Sequence, residues 1–136
     1  MLEIAVNRYR QVVASTSTPG ELLLALYAGL FRNLRVSRKL LEDKKRAPAT
    51  QLLSKCHAIV CELDMALEHD VFPELCQNLT AIYGFCLDRL LLAMRKGSPE
   101  AIDEVIRALT PLHEAWQVAV PQATREQGNR DRVQSR

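Results

Sequence analysis

From Pro19 to Val120 the apolar residues recur at steps of three and four, in four stretches separated by short breaks. That spacing matches the helical turn and gathers apolar side chains on one face of each stretch. No run of six residues alternates apolar and polar in the manner of a half-buried strand. A chain patterned in this way is predicted to be all-α. With connections this short, neighbouring helices must run antiparallel, so the expected architecture is an up-down four-helix bundle.

The breaks carry their own chemistry. Thr18-Pro19-Gly20-Glu21 is a strong helix start: Thr18 suits the N-cap, Pro19 the first helical position, and Glu21 completes a capping-box pattern at the positive end of the helix dipole. A first helix is expected from Pro19 to about Asp43, with Leu23, Tyr27, Leu30, Leu34 and Leu41 on one face. Lys44, Lys45 and Arg46 suit its negative end, and Ala47-Pro48 breaks it. A second helix is expected over about 49–69, on the stripe Leu52, Cys56, Ile59, Leu63 and Leu67. A third covers about 74–96, with Leu75, Leu79, Ile82, Cys86, Leu90 and Ala93 inward. Gly97-Ser98-Pro99-Glu100 then reads as a stop and restart. The fourth helix runs from Pro99 to about Val120, with Ile102, Val105, Ile106, Leu109, Leu112 and Trp116 inward and a kink expected at Pro111. The expected domain plan is an N-terminal arm over 1–18, a bundle over 19–120, and a polar, disordered tail over 121–136.

A chain of 136 residues is long enough for one buried core. The formal charge is +2, and the tail arginines Arg125, Arg130, Arg132 and Arg136 against Glu126 and Asp131 account for all of it. The body is therefore balanced, and no global field for nucleic acid or an anionic membrane follows. Apolar runs such as Leu22 to Leu26 fall far short of the roughly 20 residues that span a bilayer. Glu3, Arg8 and Arg10 interrupt the N-terminal apolar residues, so a signal peptide is not indicated and a cytoplasmic location is expected. Cys56, Cys61, Cys76 and Cys86 contain no C-x-x-C pair and read as reduced core thiols.

Enzyme readings fail on spacing. A carboxylate di-iron bundle needs Glu three residues before an inward His, and Ser54, Ala66 and Thr110 stand there for His57, His69 and His113. Phosphorelay bundles carry Lys and then Gly after their histidine, whereas His57 is followed by Ala58, Ile59, Val60 and Cys61. No Gly-rich phosphate loop and no nucleophile–base pair can be recognised, so neither an enzyme nor a cofactor is expected. Cys56, His57 and Cys61 are the one cluster with metal-ligand chemistry, and further ligands would have to come from elsewhere. Arg32, Arg35, Arg38 and Lys39, extended by Lys44 to Arg46, form a basic strip. It reads as a solvated face or, with only Phe31 near for base stacking, as a contact for an acidic protein rather than nucleic acid.

One surplus stands out. Leu22, Leu24, Leu26, Phe31 and Val36 on the first helix, and Phe85, Leu87, Leu91 and Leu92 on the third, exceed a single core stripe. A wide core absorbs such residues, and so does a second apolar face covered by a partner or another copy.

Tyr9, Thr16, Pro19, Glu21, Leu22, Leu26-Tyr27 and Gly29, in that order and spacing, resemble the opening of the flagellar export chaperones that hold flagellin before secretion, the FliS-type family. The resemblance continues through Lys55, Ile59 and Glu62-Leu63, through Asn78-Leu79, Tyr83 and Arg89-Leu90, to Ala115-Trp116. It departs at Ala28, Gly84 and Met94, where the family commonly has Asp, Asp and Asn. The resemblance implies a non-enzymatic bundle that binds the C-terminal segment of flagellin, blocks its premature polymerisation and delivers it to the export gate. It also implies client contact through the surplus apolar lanes at Tyr27, Phe31, Leu87 and Leu91. Tyr9, with Ile4 and Val6 on the arm, would cover the groove when it is empty, and a homodimer through the same face is the other client-free state. The alternatives are a regulatory or scaffold bundle binding another folded protein through the basic strip, and a metal- or redox-responsive bundle using Cys56, His57 and Cys61.

Overall fold

A computed structural model describes residues 18–134 of the chain. It consists of four helices, α1 (Pro19–Glu42), α2 (Arg46–Met65), α3 (Pro73–Lys96) and α4 (Pro99–Gln134). Each helix packs on the next and α4 closes back on α1, so α1 lies diagonally across from α3 and α2 from α4. The short turns reverse the chain each time, which makes the up-down bundle expected from the periodicity.

The helix ends follow from local chemistry. Thr18 holds an extended backbone and its Oγ1 accepts from the Glu21 N–H at 3.2 Å, as an N-cap should. At α4 the Ser98 hydroxyl accepts from the Ala101 N–H at 3.2 Å, with Pro99 in the first position. Gly97 ends α3 at φ 62°, and the Ser98 N–H returns to the Ala93 carbonyl. A Cβ at Gly97 would also press on the Arg46 guanidinium, 3.2 Å away.

The α1–α2 turn differs from expectation. Ala47-Pro48 does not break the chain, because Pro48 is the third residue of α2, where its missing N–H has no intrahelical partner to lose. The reversal is made at Asp43–Lys45 instead, around Lys44 at φ 61°. The Lys44 N–H donates to the Leu41 carbonyl and the Lys45 N–H to the Leu40 carbonyl. That is the Schellman pattern, with a lysine where glycine is the usual residue.

The core is built from one stripe of each helix: Leu30 and Leu34, Leu53, Cys56 and Val60, Cys86 and Leu90, Ile102, Val105 and Leu109. Tyr27 and Tyr83 face each other across the α1–α3 diagonal, their hydroxyls 2.6 Å apart, both rings closed to solvent. Ser37, the buried polar side chain of the described residues, donates to the Asn33 carbonyl at 2.7 Å. Two registers depart from the reading of the stripes. Leu53, not Leu52, is the fully buried residue of α2, because Ala49, Leu53, Cys56 and Val60 form the tighter lane. Leu75 is exposed, and Cys76 takes the inward place at the start of α3.

The largest correction concerns the tail. Residues 121–134, expected to be disordered, continue α4 as helix to Gln134. Pro121 removes one backbone bond, but Gln122, Ala123, Arg125, Glu126 and Gln127 are good helix formers. The Thr124 hydroxyl donates to the Val120 carbonyl, and Gln127 reaches Asp131 one turn on. Val120 itself lies against Gly20 so closely that a Cβ there would come within 2.7 Å of its Cγ1. Glycine at position 20 thus allows α4 to meet the first turn of α1. Beyond that contact the residues of α4 are almost all exposed.

Candidate binding surface

The up-down topology brings the start of α1, the end of α2, the start of α3 and the distal part of α4 to one end of the bundle. At that end the helices part. Pro19, Leu22, Leu23 and Leu26 of α1 face Glu62, Leu63, Met65 and the following Ala66, leaving an apolar groove of about 460 Å³. A second groove, of about 470 Å³, lies on the other side of the first turn of α1, between Thr18–Gly20 and the α4 residues Val120, Ala123, Thr124 and Gln127. Pro19 lines both.

The connection from α2 to α3 adds to this end. Met65 is 73% exposed, Val71 58%, Phe72 57% and Leu75 47%. Single exposed apolar residues are ordinary, but four on one short stretch beside an apolar groove form the kind of surface that a partner covers. Higher on α3, Phe85 and Leu91 are also about half exposed, with the Arg89 guanidinium over the Phe85 ring.

Among the described residues, then, the surplus apolar side chains divide. Leu26 and Phe31 are absorbed into the core, Leu22, Leu24, Leu87 and Leu92 are half-buried, and Val36, Phe85 and Leu91 stay exposed. Of the side chains expected to meet a client, Leu91 is open and Leu87 is partly so. Tyr27 and Phe31 are not on the surface. His113 of α4 stacks on both, at 5.7 Å and 5.0 Å, and closes them in. They sit on the α1 face turned toward α4 and α3, and the count of apolar lanes did not separate that face from the outer one. Tyr9 and the rest of the arm lie outside the described residues. Sequence reasoning missed Met65, Val71, Phe72 and Leu75. The available signal was Val71-Phe72, two large apolar residues in a connection before Pro73 where polar residues are the norm.

Electrostatics separate the two ends of the bundle. From Cys56 to Asp88 the chain has Glu62, Asp64, Glu68, Asp70, Glu74 and Asp88, and neither Lys nor Arg. The basic strip on α1 is partly committed. Arg38 donates to both carboxylate oxygens of Asp103, at 2.6 and 2.9 Å, and also to Glu42. The Arg38 hydrogen bonds hold the Asp103 carboxyl below its usual range. Arg35 lies over the Phe31 ring, and Lys39 pairs with Asp43. Arg38 thus ties α1 to α4 and is not free for an acidic partner.

The histidine and cysteine side chains form no metal set. His57 Nδ1 and Cys61 Sγ are 3.7 Å apart, but no three His, Cys, Asp or Glu side chains converge among the described residues. Burial pushes the Cys56 and Cys86 thiols up to about 12, and it raises Cys61 as well. These are protonated packing groups rather than nucleophiles. Burial likewise raises Tyr27 and Tyr83 above the ordinary phenol value. No helix among the described residues is long and apolar enough to cross a membrane.

Comparison with known proteins gives a consistent result. The family model described as flagellar protein FliS matches residues 2–123. The flagellar secretion chaperone FliS of Bacillus subtilis (strain 168) is 30% identical over 112 residues, covering 82% of this chain and 83% of the relative. Its Salmonella typhimurium counterpart is 28% identical over 124 residues, covering 88% and 92%. A solved structure described as a flagellar chaperone from bacteria has a TM-score of 0.71 at 23% identity, over 88% of this chain and 98% of that one, a likeness of fold.

Proposed function

The chain belongs to the FliS family of flagellar secretion chaperones, and from that membership we propose that it binds the C-terminal segment of a flagellin in the cytoplasm, keeps that segment from polymerising and delivers it to the flagellar export gate. The observation that supports this reading is the apolar end of the bundle, where the α1–α2 groove adjoins Met65, Val71, Phe72 and Leu75. An unfolded amphipathic segment has no pocket-sized feature to recognise. It needs a shallow apolar track, which Leu22, Leu23 and Met65 supply together with Val71, Phe72 and Leu75 at the same end of the bundle. Tyr27 and Phe31 act from behind that track, holding α1 in place through His113. Coupled folding and binding of this kind buries on the order of 1,000–3,000 Å² and works against about 2–5 kcal/mol of ordering cost. Many modest contacts therefore carry the affinity. With no client present, the same surface is covered by a second copy of the chain.

Calorimetric titration with a peptide of the cognate flagellin's C-terminal segment tests the reading. Binding is expected with a negative heat-capacity change, and Leu22→Glu combined with Leu75→Glu should weaken it at least about tenfold, a loss near 1.4 kcal/mol. No complex with the native chain, or full affinity in the double variant with its helicity intact, would overturn it.

A further inference from the structure

The opposite end of the bundle carries a different surface. There the α1–α2 turn meets the end of α3. Arg46 reaches across and donates to the Met94 and Arg95 carbonyls, which sets Lys44 and Lys45 beside Arg95 and Lys96. All five cations are exposed.

The helix dipoles explain only part of this concentration. A helix C-terminus carries about half a negative charge and an N-terminus about half a positive one. Lys44, just past α1, and Arg95 and Lys96, in the last turn of α3, suit negative helix ends, but Lys45 and Arg46 stand at the positive start of α2, where the dipole disfavours a cation. Nor do local carboxylates neutralise it. Glu42 and Asp103 are held by Arg38, Asp43 by Lys39 and Glu104 by Arg89, while Glu100 accepts from the Ser98 hydroxyl. Among the described residues none of Lys44, Lys45, Arg95 and Lys96 is in an ion pair.

Backbone geometry is the second, independent sign. The same chain ends two helices with nearly the same left-handed residue, Gly97 at φ 62° and Lys44 at φ 61°. Glycine adopts that conformation freely; lysine does so against steric resistance. Retaining a strained lysine where the chain elsewhere uses glycine points to a use for its charge.

We propose that Lys44, Lys45, Arg46, Arg95 and Lys96 form a docking surface for an acidic segment of a partner protein, separate from the client track at the other end. An acidic protein segment fits the composition of the patch. The exposed residues around it, Ala47 and Pro48, offer no aromatic ring for stacking a base and no large apolar wedge for entering a bilayer. The separation lets one bundle hold its client and a second protein together.

A labelled oligoglutamate peptide, followed by fluorescence anisotropy, is the probe. The native chain should bind it, and more weakly as salt rises. The triple variant Lys44→Glu, Lys45→Glu, Lys96→Glu should lose about tenfold or more, while Lys55→Glu, off the patch, changes little. Lys44→Gly should weaken binding while raising the unfolding temperature, a pairing that damage to the fold cannot produce. Flagellin-peptide binding should persist in all of them, so this inference and the client reading fail separately. Equal binding by the triple variant, with helicity intact, would overturn the proposal. So would binding to phosphatidylglycerol vesicles with none to oligoglutamate, which would make the patch a membrane contact. Self-association abolished by the triple variant, again with no oligoglutamate binding, would likewise overturn it in favour of a second copy.

Discussion

Tyr27 and Tyr83 share one hydrogen bond at the centre of the bundle, and neither hydroxyl has access to water. Tyr27→Phe leaves the Tyr83 hydroxyl buried and unpaired, at a cost of about 1–3 kcal/mol. Adding Tyr83→Phe removes the orphan, so the double variant should recover most of that loss; urea unfolding of the full mutant cycle measures it. Tyr27 was visible in the sequence as an apolar-lane residue, and Tyr83 as part of the family resemblance. Their pairing was not, because they are far apart in the chain and meet only across the diagonal. Arg38 and Asp103 make a second tie of this kind. The carboxylate's folded value is lowered by Arg38, so its contribution to stability is present above the ordinary carboxylate range and is lost as pH falls through the folded value. Asp103→Asn should therefore lower the unfolding temperature at neutral pH and make no difference in strong acid. The effect will be modest, since both side chains are about one-third exposed.

At the scale of the element, α4 is where patterning and structure diverge. Proline and polarity signal an end at Pro121, yet helix propensity and the seating of Val120 on Gly20 carry the helix to Gln134. Gly20→Ala places a methyl within 2.7 Å of Val120 Cγ1, and a β-branched side chain has little freedom to yield. The variant should lose about 1–3 kcal/mol, more than helix propensity returns, and Val120→Ala should restore part of it. Thermal unfolding of the two variants and their combination checks this. The turn between α1 and α2 carries the same lesson on a smaller scale. Pro48 looks like a breaker in the sequence but is harmless in a first helical turn, and the reversal rests on Lys44, a residue with no turn signature.

For the whole molecule, the buried thiols report cooperative opening. Cys56 and Cys86 are sealed by residues from neighbouring helices and stay protonated up to about 12, against an unfolded value near 9.0. The folded value is raised, so this part of the stability is full below pH 9 and falls as pH climbs toward 12. Thiol-reagent labelling of the native protein should leave both unmodified at neutral pH and accelerate with denaturant in step with loss of helicity. Helix number, class and antiparallel order were determined by the chain alone, because apolar spacing and capping chemistry act within a few residues of each other. The family resemblance lay there too, in residues at fixed steps along each helix. What only the tertiary structure decided was the fate of each surplus apolar residue. Phe31 became core because His113 lies over it, whereas Val36, Phe85 and Leu91 remained about half exposed. One-dimensional periodicity gives the direction of a side chain around its own helix, but whether that side chain is covered depends on where the other three helices stand.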